Sequence, residues 1–221
     1  MRISPTTLND YMKCPRKVYF KFNNYLKMAP FFEESVNRGK LVHQIIQEFY
    51  QGDVDRLTET EAKLRISDIY HKHVLIHDEK TEYELLNFVA FESFRKEQGF
   101  RVVETEKEYS TTYRDVTVHG IIDMMMVKDQ EKVVVDWKTG YQGIVTEEIR
   151  NQLSVYKWLT NADRTYVVFL DWKSWFEVDV DDPRPMLDAL IDDKEFLPSY
   201  SDCKLCGYQI PCLGEKIVFH I

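Results

Sequence analysis

Two acidic residues and a lysine stand where predicted β-strands end. Asp136 follows the apolar run at 133–135, Lys138 comes two residues later, and Asp123 follows Ile121-Ile122, thirteen residues upstream of Asp136. Acids at adjacent strand ends can hold a divalent ion such as Mg²⁺, which prefers oxygen ligands and would polarise a phosphate and activate water. Lys138 points to the same side of its strand as Asp136, where its amine can orient the water or steady developing charge. The spacing therefore indicates metal-dependent cleavage of a phosphodiester.

Polar residues farther along the chain fit the same chemistry. Gln152 and Tyr156 lie four residues apart on the helix predicted after this strand, so they share one face. Their amide and hydroxyl groups can contact a phosphate or Lys138, whereas the ordinary alternative is a surface glutamine and a core tyrosine. His43 lies on a predicted helix nearer the N-terminus. A lone helical histidine is more often structural than a metal ligand or a base.

The tripeptide Asp-Trp-Lys occurs a second time, at residues 171–173. This copy also follows an apolar strand, but it runs directly into another strand, with no helix after it and no acidic strand paired before it. We therefore predict that the second copy forms a hairpin turn and not a site. A D-x-K match alone is weak, so the first copy depends on the residues around it.

Length, charge and composition exclude several classes of protein. A chain of 221 residues with 44% hydrophobic content is long enough for one domain with a substantial core. No apolar run reaches eighteen residues and no apolar signal segment opens the chain, so we expect a soluble cytoplasmic protein with no membrane partner. The net charge of −8 argues against a nonspecific basic coat for nucleic acid, but a local groove can still bind DNA.

The hydrophobic pattern changes near residue 100. Residues 1–99 are predicted to be mainly helical, with Ser4 capping the first helix, Pro5 in its first turn, and Cys14-Pro15 interrupting it. Later helices are predicted over 34–50, 58–76 and 80–97. Residues 100–195 form an α/β part, with strands over 100–109, 116–127, 133–137, 166–170 and 175–180 and helices over 147–160 and 183–191. Residues 196–221 form a cysteine-bearing loop.

The chain's cysteines indicate a metal centre. Cys203, Cys206 and Cys212 lie on the C-terminal loop, while Cys14 is at the other end of the chain. In a reducing compartment, closely spaced loop cysteines favour metal over disulfides. A Cys₄ zinc site and an iron–sulfur cluster both fit this spacing. The alternative is four reduced thiols that bind no metal.

Taken in order, these motifs resemble the RecB-like branch of the PD-(D/E)xK nuclease superfamily, and more narrowly the CRISPR-associated Cas-four-type exonucleases. The resemblance covers essentially the whole chain, and it rests on the ordered set of residues more than on any one motif. The set comprises Ser4-Pro5, Tyr11, Cys14-Pro15-Arg16, Gly39, His43, Gly120-Ile121-Ile122-Asp123, Asp136-Trp137-Lys138-Thr139-Gly140, Gln152, Tyr156, Cys203, Cys206 and Cys212.

The resemblance implies a fold and a set of roles. It implies a restriction-endonuclease-like mixed sheet flanked by helices. It implies that His43, Asp123 and Asp136 bind Mg²⁺ or Mn²⁺ with the Trp137 carbonyl, and that Lys138 is catalytic. Many relatives have glutamate where Asp136 stands, which would alter the ion position or metal preference. Further implied roles are DNA contact or site support by Gln152 and Tyr156, and an iron–sulfur cluster, usually of the four-iron and sometimes of the two-iron kind, on Cys14, Cys203, Cys206 and Cys212.

Relatives of this kind cut single-stranded DNA ends and trim new spacer DNA together with the CRISPR integrase. We therefore expect a metal-dependent DNA exonuclease, with phosphate contacts from basic residues close to the motifs: Arg16, Lys17, Arg38 and Lys40. Three alternatives stay open at this point: a RecB-like repair or viral nuclease, a non-catalytic DNA-binding or assembly module with a structural metal centre, and a redox protein that uses the cysteine centre.

Overall fold

A computed structural model describes residues 1–26, 33–74, 76–140, 143–199, 203 and 206–212. The C-terminal loop predicted over 196–221 therefore lies partly outside the described residues. Seven helices and six strands occupy the described ranges. The helices are α1 (Pro5–Lys13), α2 (Pro15–Phe22), α3 (Glu33–Phe49), α4 (Glu59–His73), α5 (Glu79–Glu97), α6 (Glu147–Thr160) and α7 (Arg184–Asp192). The strands are β1 (Arg2–Ile3), β2 (Arg101–Tyr113), β3 (Val116–Lys128), β4 (Glu131–Lys138), β5 (Arg164–Phe169) and β6 (Ser174–Glu177).

The helices begin where their capping residues predict. The Ser4 side chain accepts a hydrogen bond from the backbone N–H of Thr7, and Pro5 occupies the first turn of α1. Thr58 and Glu61 form a reciprocal capping box at the start of α4. α6 ends at Asn161, which adopts the left-handed conformation that asparagine tolerates. These local signals explain why the helix predictions are confirmed to within a few residues.

β3 organises the sheet because three strands pair with it. Its whole length pairs antiparallel with β2. Its other edge is divided between β1, which pairs parallel at Thr117 and Val118, and β4, which pairs antiparallel from Met124 to Lys128. β5 then adds parallel to β4, and β6 adds antiparallel to β5. Asp123 therefore lies inside β3, where β4 separates from it, and the prediction that this acid stands at a strand end is wrong, because β2 keeps pairing with β3 on both sides of it.

β4 is the central buried strand that its apolar sequence predicts. Val133, Val135 and Trp137 pack in a cluster with residues of α3, α4 and α5. Val134 packs in a second cluster, with Ile149 and Leu153 of α6 on the opposite face of the sheet. Helices thus flank a mixed sheet on both faces, which confirms the predicted fold class. In the described part of the chain no helix is long and apolar enough to cross a membrane.

β2 and β6 differ from their predicted lengths by several residues. β2 continues past residue 109 to Tyr113, because it forms a hairpin with β3 that turns at Arg114, a residue with a φ of 53°. The added residues are Ser-Thr-Thr-Tyr, which show no apolar alternation. β6 ends at Glu177, before the predicted end at residue 180. The second Asp-Trp-Lys copy forms a single 3₁₀ turn, Leu170–Trp172, between β5 and β6. The prediction of a hairpin turn there is confirmed.

Gly39 brings α3 against the turn that follows β4. A Cβ atom at this position would lie 2.9 Å from Oγ1 of Thr139, and among the described residues no other heavy atom outside the helix's own turns is close. Real Cβ contacts are not this short, so any larger residue must displace the Thr139 side chain, the helix or the turn. Glycine therefore allows α3 to approach the Thr139 side chain closely.

Gly39→Ala is expected to destabilise the fold through this contact, and Thr139→Ala should relieve it by removing Oγ1. The two substitutions should couple by about 1–3 kcal/mol, the usual cost of overpacking. Urea unfolding of the four proteins in the cycle measures this coupling, and the gain in helix propensity from alanine cancels within the cycle. A coupling of zero would contradict the assigned contact.

Candidate active site

Asp123 lies at the point where β3 and β4 diverge. Its Oδ2 accepts a hydrogen bond from the backbone N–H of Trp137 at 2.8 Å. The last strand pair is Met124 with Val135, so continuing the register by one residue sets Asp123 opposite Asp136. Both aspartates are buried, with 8% and 1% of their surface exposed. The fold thus brings together two acids that are thirteen residues apart in sequence.

His43, Glu106 and Asp123 form a compact group of potential metal ligands. One ligand atom from each side chain lies within 4.8 Å of the others. Nδ1 of His43 is 3.3 Å from Oε1 of Glu106 and 3.6 Å from Oδ1 of Asp123. These donors come from three elements: α3, β2 and β3. Carboxylate oxygens with one imidazole suit a divalent cation such as Mn²⁺ or Mg²⁺, so the donor set fits the ion that the sequence predicted.

Glu106 is a candidate ligand that none of the sequence motifs indicates. It lies on β2 with a φ of 48°, and the pairs on either side of it, Thr105 with Met124 and Lys107 with Ile122, set it opposite Asp123. The neighbouring sequence carries charges at many positions, so one more glutamate gave no local signal. The available clue was an acid on the strand that pairs with the Asp123 strand.

Lys138 joins the second part of the site. Its Nζ lies 2.6 Å from Oδ2 of Asp136 and donates to Oε1 of Gln152 at 2.8 Å. The Gln152 amide in turn donates to the Tyr156 hydroxyl at 2.8 Å. These residues therefore form one continuous chain of contacts from β4 to α6. Among the described residues, Asp136 lies outside the three-residue ligand group, and its contact is with the lysine.

The carboxylates control the protonation of His43. Burial alone would lower the pKa of His43, but the charges of Asp123 and Glu106, together with the hydrogen bond that protonated His43 donates to Glu106, raise it to about 9. Burial raises the pKa of Asp123 to about 7; the charge of Asp136 adds to this rise, and His43 and Lys138 oppose it. The two aspartates are thus close enough for their charges to interact. The carboxylates of Asp123 and Asp136 can therefore both be ionised only if a positive charge lies close to them.

Tyr156 is held as a neutral phenol beside these acids. Burial, followed by the charges of Asp123 and Asp136, raises its pKa far above the ordinary value. Its ring lies against Gly120, where a Cβ would be 2.7 Å from Cε1 of the ring. The glycine that precedes Asp123 in the motif therefore makes room for the tyrosine. The Tyr156 hydroxyl accepts a hydrogen bond from Gln152, and Gln152 accepts one from the Lys138 amine.

An open cleft of about 600 Å³ runs past this group. Its lining includes Val36, Gly39, Lys40, His43, Gln44, Gln47, Glu106, Thr139 and Gly140. Of the four basic residues expected to contact DNA, Lys40 lines the cleft. Arg38 faces buried Glu84 at 3.5 Å, and the Arg16 guanidinium lies 4.9 Å from the centre of the Tyr19 ring. Lys17 lies on α2, outside the cleft lining among the described residues.

The cysteine-bearing segment meets the N-terminal helices. Tyr208 packs against Phe20 of α2, with 5.6 Å between ring centroids. Burial raises the pKa of Tyr208, and the charges of Asp10 and Cys206 add to the rise. Cys14 separates α1 from α2, so the segment around Tyr208 lies against a helix that flanks this cysteine. The four cysteines form no disulfide in the described ranges, and within the same ranges they do not form a compact single-ion group.

The chain matches the profile of the PD-(D/E)XK nuclease superfamily over residues 2–184, and it belongs to that superfamily. Nucleases of this superfamily use divalent metals, which agrees with the ligand group around His43. The predicted superfamily is thus confirmed. The narrower Cas-four-type resemblance stays a prediction.

Three individual proteins are similar to this chain over different lengths. An ATP-dependent helicase/nuclease subunit of Staphylococcus haemolyticus (strain JCSC1435) is 27% identical over 133 residues, which are 52% of this chain. The matched part is 11% of that relative's length, so the chain spans about a tenth of it. The crystal structure of SSO0001 superposes with a TM-score of 0.50 at 16% identity, over 96% of this chain and 86% of that one. LHK-Exo in complex with dAMP gives a TM-score of 0.35 at 11% identity, over 80% and 89%.

Glu106→Gln is expected to weaken Mn²⁺ binding by at least about tenfold, because it removes one charged oxygen from the ligand group. Calorimetric titration of the purified protein with Mn²⁺ measures the affinity directly. Glu104→Gln is the matched control, since Glu104 lies on the same strand and pairs with Lys107 and Tyr109 instead. Equal affinity in the wild type and the Glu106 variant would remove Glu106 from the ligand set.

Proposed function

We propose that the protein is a divalent-metal-dependent DNA exonuclease that acts on single-stranded ends. The observation that carries the proposal is the ligand group of His43, Glu106 and Asp123 beside the Asp136–Lys138 pair. Membership of a nuclease superfamily supports DNA cleavage. The single-strand and exonuclease preferences are supported by the ordered motifs of the sequence and their resemblance to the Cas-four-type enzymes.

The ion would be held by His43, Glu106 and Asp123, and Asp136 and the Trp137 carbonyl are further predicted ligands. Once bound, it supplies Lewis-acid activation of a phosphate and of water. The protein's own residues then set orientation and charge. Lys138 keeps its ammonium beside Asp136, where it can donate to the developing phosphorane oxygen.

Gln152 and Tyr156 support this lysine. Gln152 accepts one of its N–H groups, and Asp136 forms an ion pair with the same ammonium. The neutral Tyr156 hydroxyl accepts a hydrogen bond from the Gln152 amide nitrogen. This contact keeps the amide oxygen directed toward Lys138. The direction of the lysine is therefore fixed before substrate arrives, which is the condition for electrostatic stabilisation without reorganisation.

A second setting for the same chemistry is the nuclease part of a DNA-repair assembly. The observation that favours it is the 133-residue similarity to part of a helicase/nuclease. An assembly of that kind would present both strands of a duplex end to the cleft. The CRISPR integrase partnership and the cytoplasmic location stay predictions of the sequence.

Lys138→Ala is expected to reduce cleavage of end-labelled single-stranded DNA in Mn²⁺ by about 10²-fold or more, since it removes the charge aimed at the transition state. Asp123→Ala should abolish cleavage and lower metal affinity. Lys173→Ala is the matched control, because it changes the lysine of the second Asp-Trp-Lys copy. Retained activity in both Lys138→Ala and Asp123→Ala, with an intact fold, would refute the nuclease assignment. Faster cleavage of duplex ends would favour the repair setting.

We further propose that Cys14, Cys203, Cys206 and Cys212 hold an iron–sulfur cluster. A four-iron cluster is preferred over a two-iron cluster, and a zinc ion is the alternative. The packing of Tyr208 on Phe20 supports the proposal, since it brings the C-terminal segment to the helices that flank Cys14. A cluster of several atoms separates its thiolates more than a single ion does.

Protein purified without oxygen is expected to be brown and to contain iron and acid-labile sulfide, and Cys14→Ser should lose both. Elemental analysis and the visible spectrum measure this. Zinc without sulfide would replace the cluster by a zinc site. Absence of both metals from freshly purified protein would leave four thiols that bind no metal and overturn the metal centre.

A further inference from the structure

Glu84 is a fully buried carboxyl group on α5, next to a second acid. Its side chain has 0% exposure, and its carboxyl group interacts with that of Asp171 in the 3₁₀ turn after β5. The Asp171 side chain is itself only 12% exposed. A buried carboxyl on a helix is costly unless it is paired or neutral. The burial of two neighbouring carboxyl groups therefore needs an explanation other than side-chain packing.

Asp171 connects the pair to the end of β4. Its Oδ2 accepts a hydrogen bond from the backbone N–H of Gly140, two residues beyond Lys138. Gly140 has a φ of 75°, a conformation suited to glycine. α5 also holds the same 3₁₀ turn through Asn87, whose amide donates to the Leu170 carbonyl at 2.7 Å. A path of contacts thus runs from α5 through Asp171 to the turn after Lys138.

The two carboxyl groups, when both are ionised, contain no hydrogen-bond donor, and a proton kept by one of them would supply it. Both Glu84 oxygens and Oδ1 of Asp171 are buried with no hydrogen-bond donor among the described groups. Two carboxylates offer acceptors only, whereas a protonated carboxyl donates one O–H. The charged groups that face the pair are Arg38 of α3, 3.5 Å from Glu84, and Lys80 of α5, 3.3 Å from Asp171. Neither makes a hydrogen bond to those orphaned atoms.

We propose that Glu84 and Asp171 share one proton and act as positioning residues that hold the turn beyond Lys138 in its working conformation. Glu84 donates the proton to Oδ1 of Asp171, and Asp171 holds the Gly140 amide through its other oxygen. The second Asp-Trp-Lys copy thereby serves the first copy. This role in cleavage rests on the proposed nuclease function, whereas the shared proton and the fixed turn do not.

The charge state of the pair follows from its surroundings. Burial, then the hydrogen bond and charge of Asp171, raises the pKa of Glu84 to about 8, and Arg38 and Lys80 oppose the rise. Below that pH Glu84 keeps its proton and the pair is intact. Above it, two adjacent negative charges repel each other, and the Asp171 carboxylate is pushed from the Gly140 amide.

Amide hydrogen exchange at Gly140 tests the positioning role without any substrate. Glu84→Ala and Asp171→Ala should each raise the exchange rate of this amide by about tenfold or more, since a hydrogen bond worth roughly 1.4 kcal/mol corresponds to that factor. Glu84→Gln and Asp171→Asn should preserve protection at every pH, because an amide N–H replaces the shared proton. Unchanged exchange in the alanine variants, or equal loss in the amide variants, would overturn the proposal.

Thermal unfolding across pH tests the shared proton. Between the ordinary carboxyl pKa of about 4.3 and about 8, the folded protein keeps a proton on Glu84 that the unfolded chain has lost. Stability of the wild type therefore falls relative to Glu84→Gln as pH rises through this window. The Tm of the wild type minus the Tm of Glu84→Gln should fall from pH 5 to 8 and then stay constant. Glu92→Gln, on the same helix but paired with Arg95, is the control. A difference that is flat with pH would refute the shared proton.

Cleavage kinetics complete the test. In the wild type kcat should fall as pH rises through about 8, and Glu84→Gln should lose that decline while KM stays unchanged. An alkaline limb that is the same in both proteins would exclude a role for the pair in catalysis. If the wild type cleaves no DNA, the nuclease proposal fails, while the exchange and unfolding measurements still decide the fate of the acid pair. They also do so if an alanine variant does not fold, because both amide variants keep the side-chain volume.

Discussion

The hydrogen bond from the Trp137 backbone to Asp123 marks the place on which the site depends. At this place β3 leaves β4, so a backbone N–H of a buried strand loses its strand partner and a side chain must replace it. An aspartate meets this need and at the same time brings negative charge into the interior. The rest of the site can be understood as compensation for that charge. Separation of the strands also opens the space in which His43 and Glu106 approach.

Charge balance explains why the surrounding residues are arranged as they are. When all are ionised, Asp123, Asp136 and Glu106 bring three negative charges, and the described cluster contains His43 and Lys138 as the opposing positive groups. The proton that His43 holds up to a pH of about 9 stands where a metal ion would contribute positive charge. A divalent cation can therefore take the place of that proton without leaving the acids unpaired. Lys138 stays paired with Asp136, so its ammonium remains beside the three-residue ligand group without competing with the cation for those ligands.

The fold and half of the site could be predicted from sequence because their signals are local. Capping at Ser4 and Thr58, the apolar run of β4, and the spacing of Gln152 and Tyr156 each act within one element. Glu106 could not be found in this way, since its role comes from a strand pairing and a positive φ that its neighbours do not encode. Asp171 was correctly assigned to a turn. Its contact with Gly140 arises only because β4 and β5 run parallel and end together.

The composition of the cleft wall has a consequence for how the protein handles a long substrate. Along α3 the exposed lining continues from Lys40 to Gln44 and Gln47, which are amides and not cations, and the whole chain carries a net charge of −8. A polyanion is retained mainly through cations that displace its counterions. For the nuclease function proposed above, the described part of this lining would therefore bind the strand weakly away from the reacting phosphate. A nuclease of that kind is expected to release its strand after few cuts, so that its turnover is distributive rather than processive.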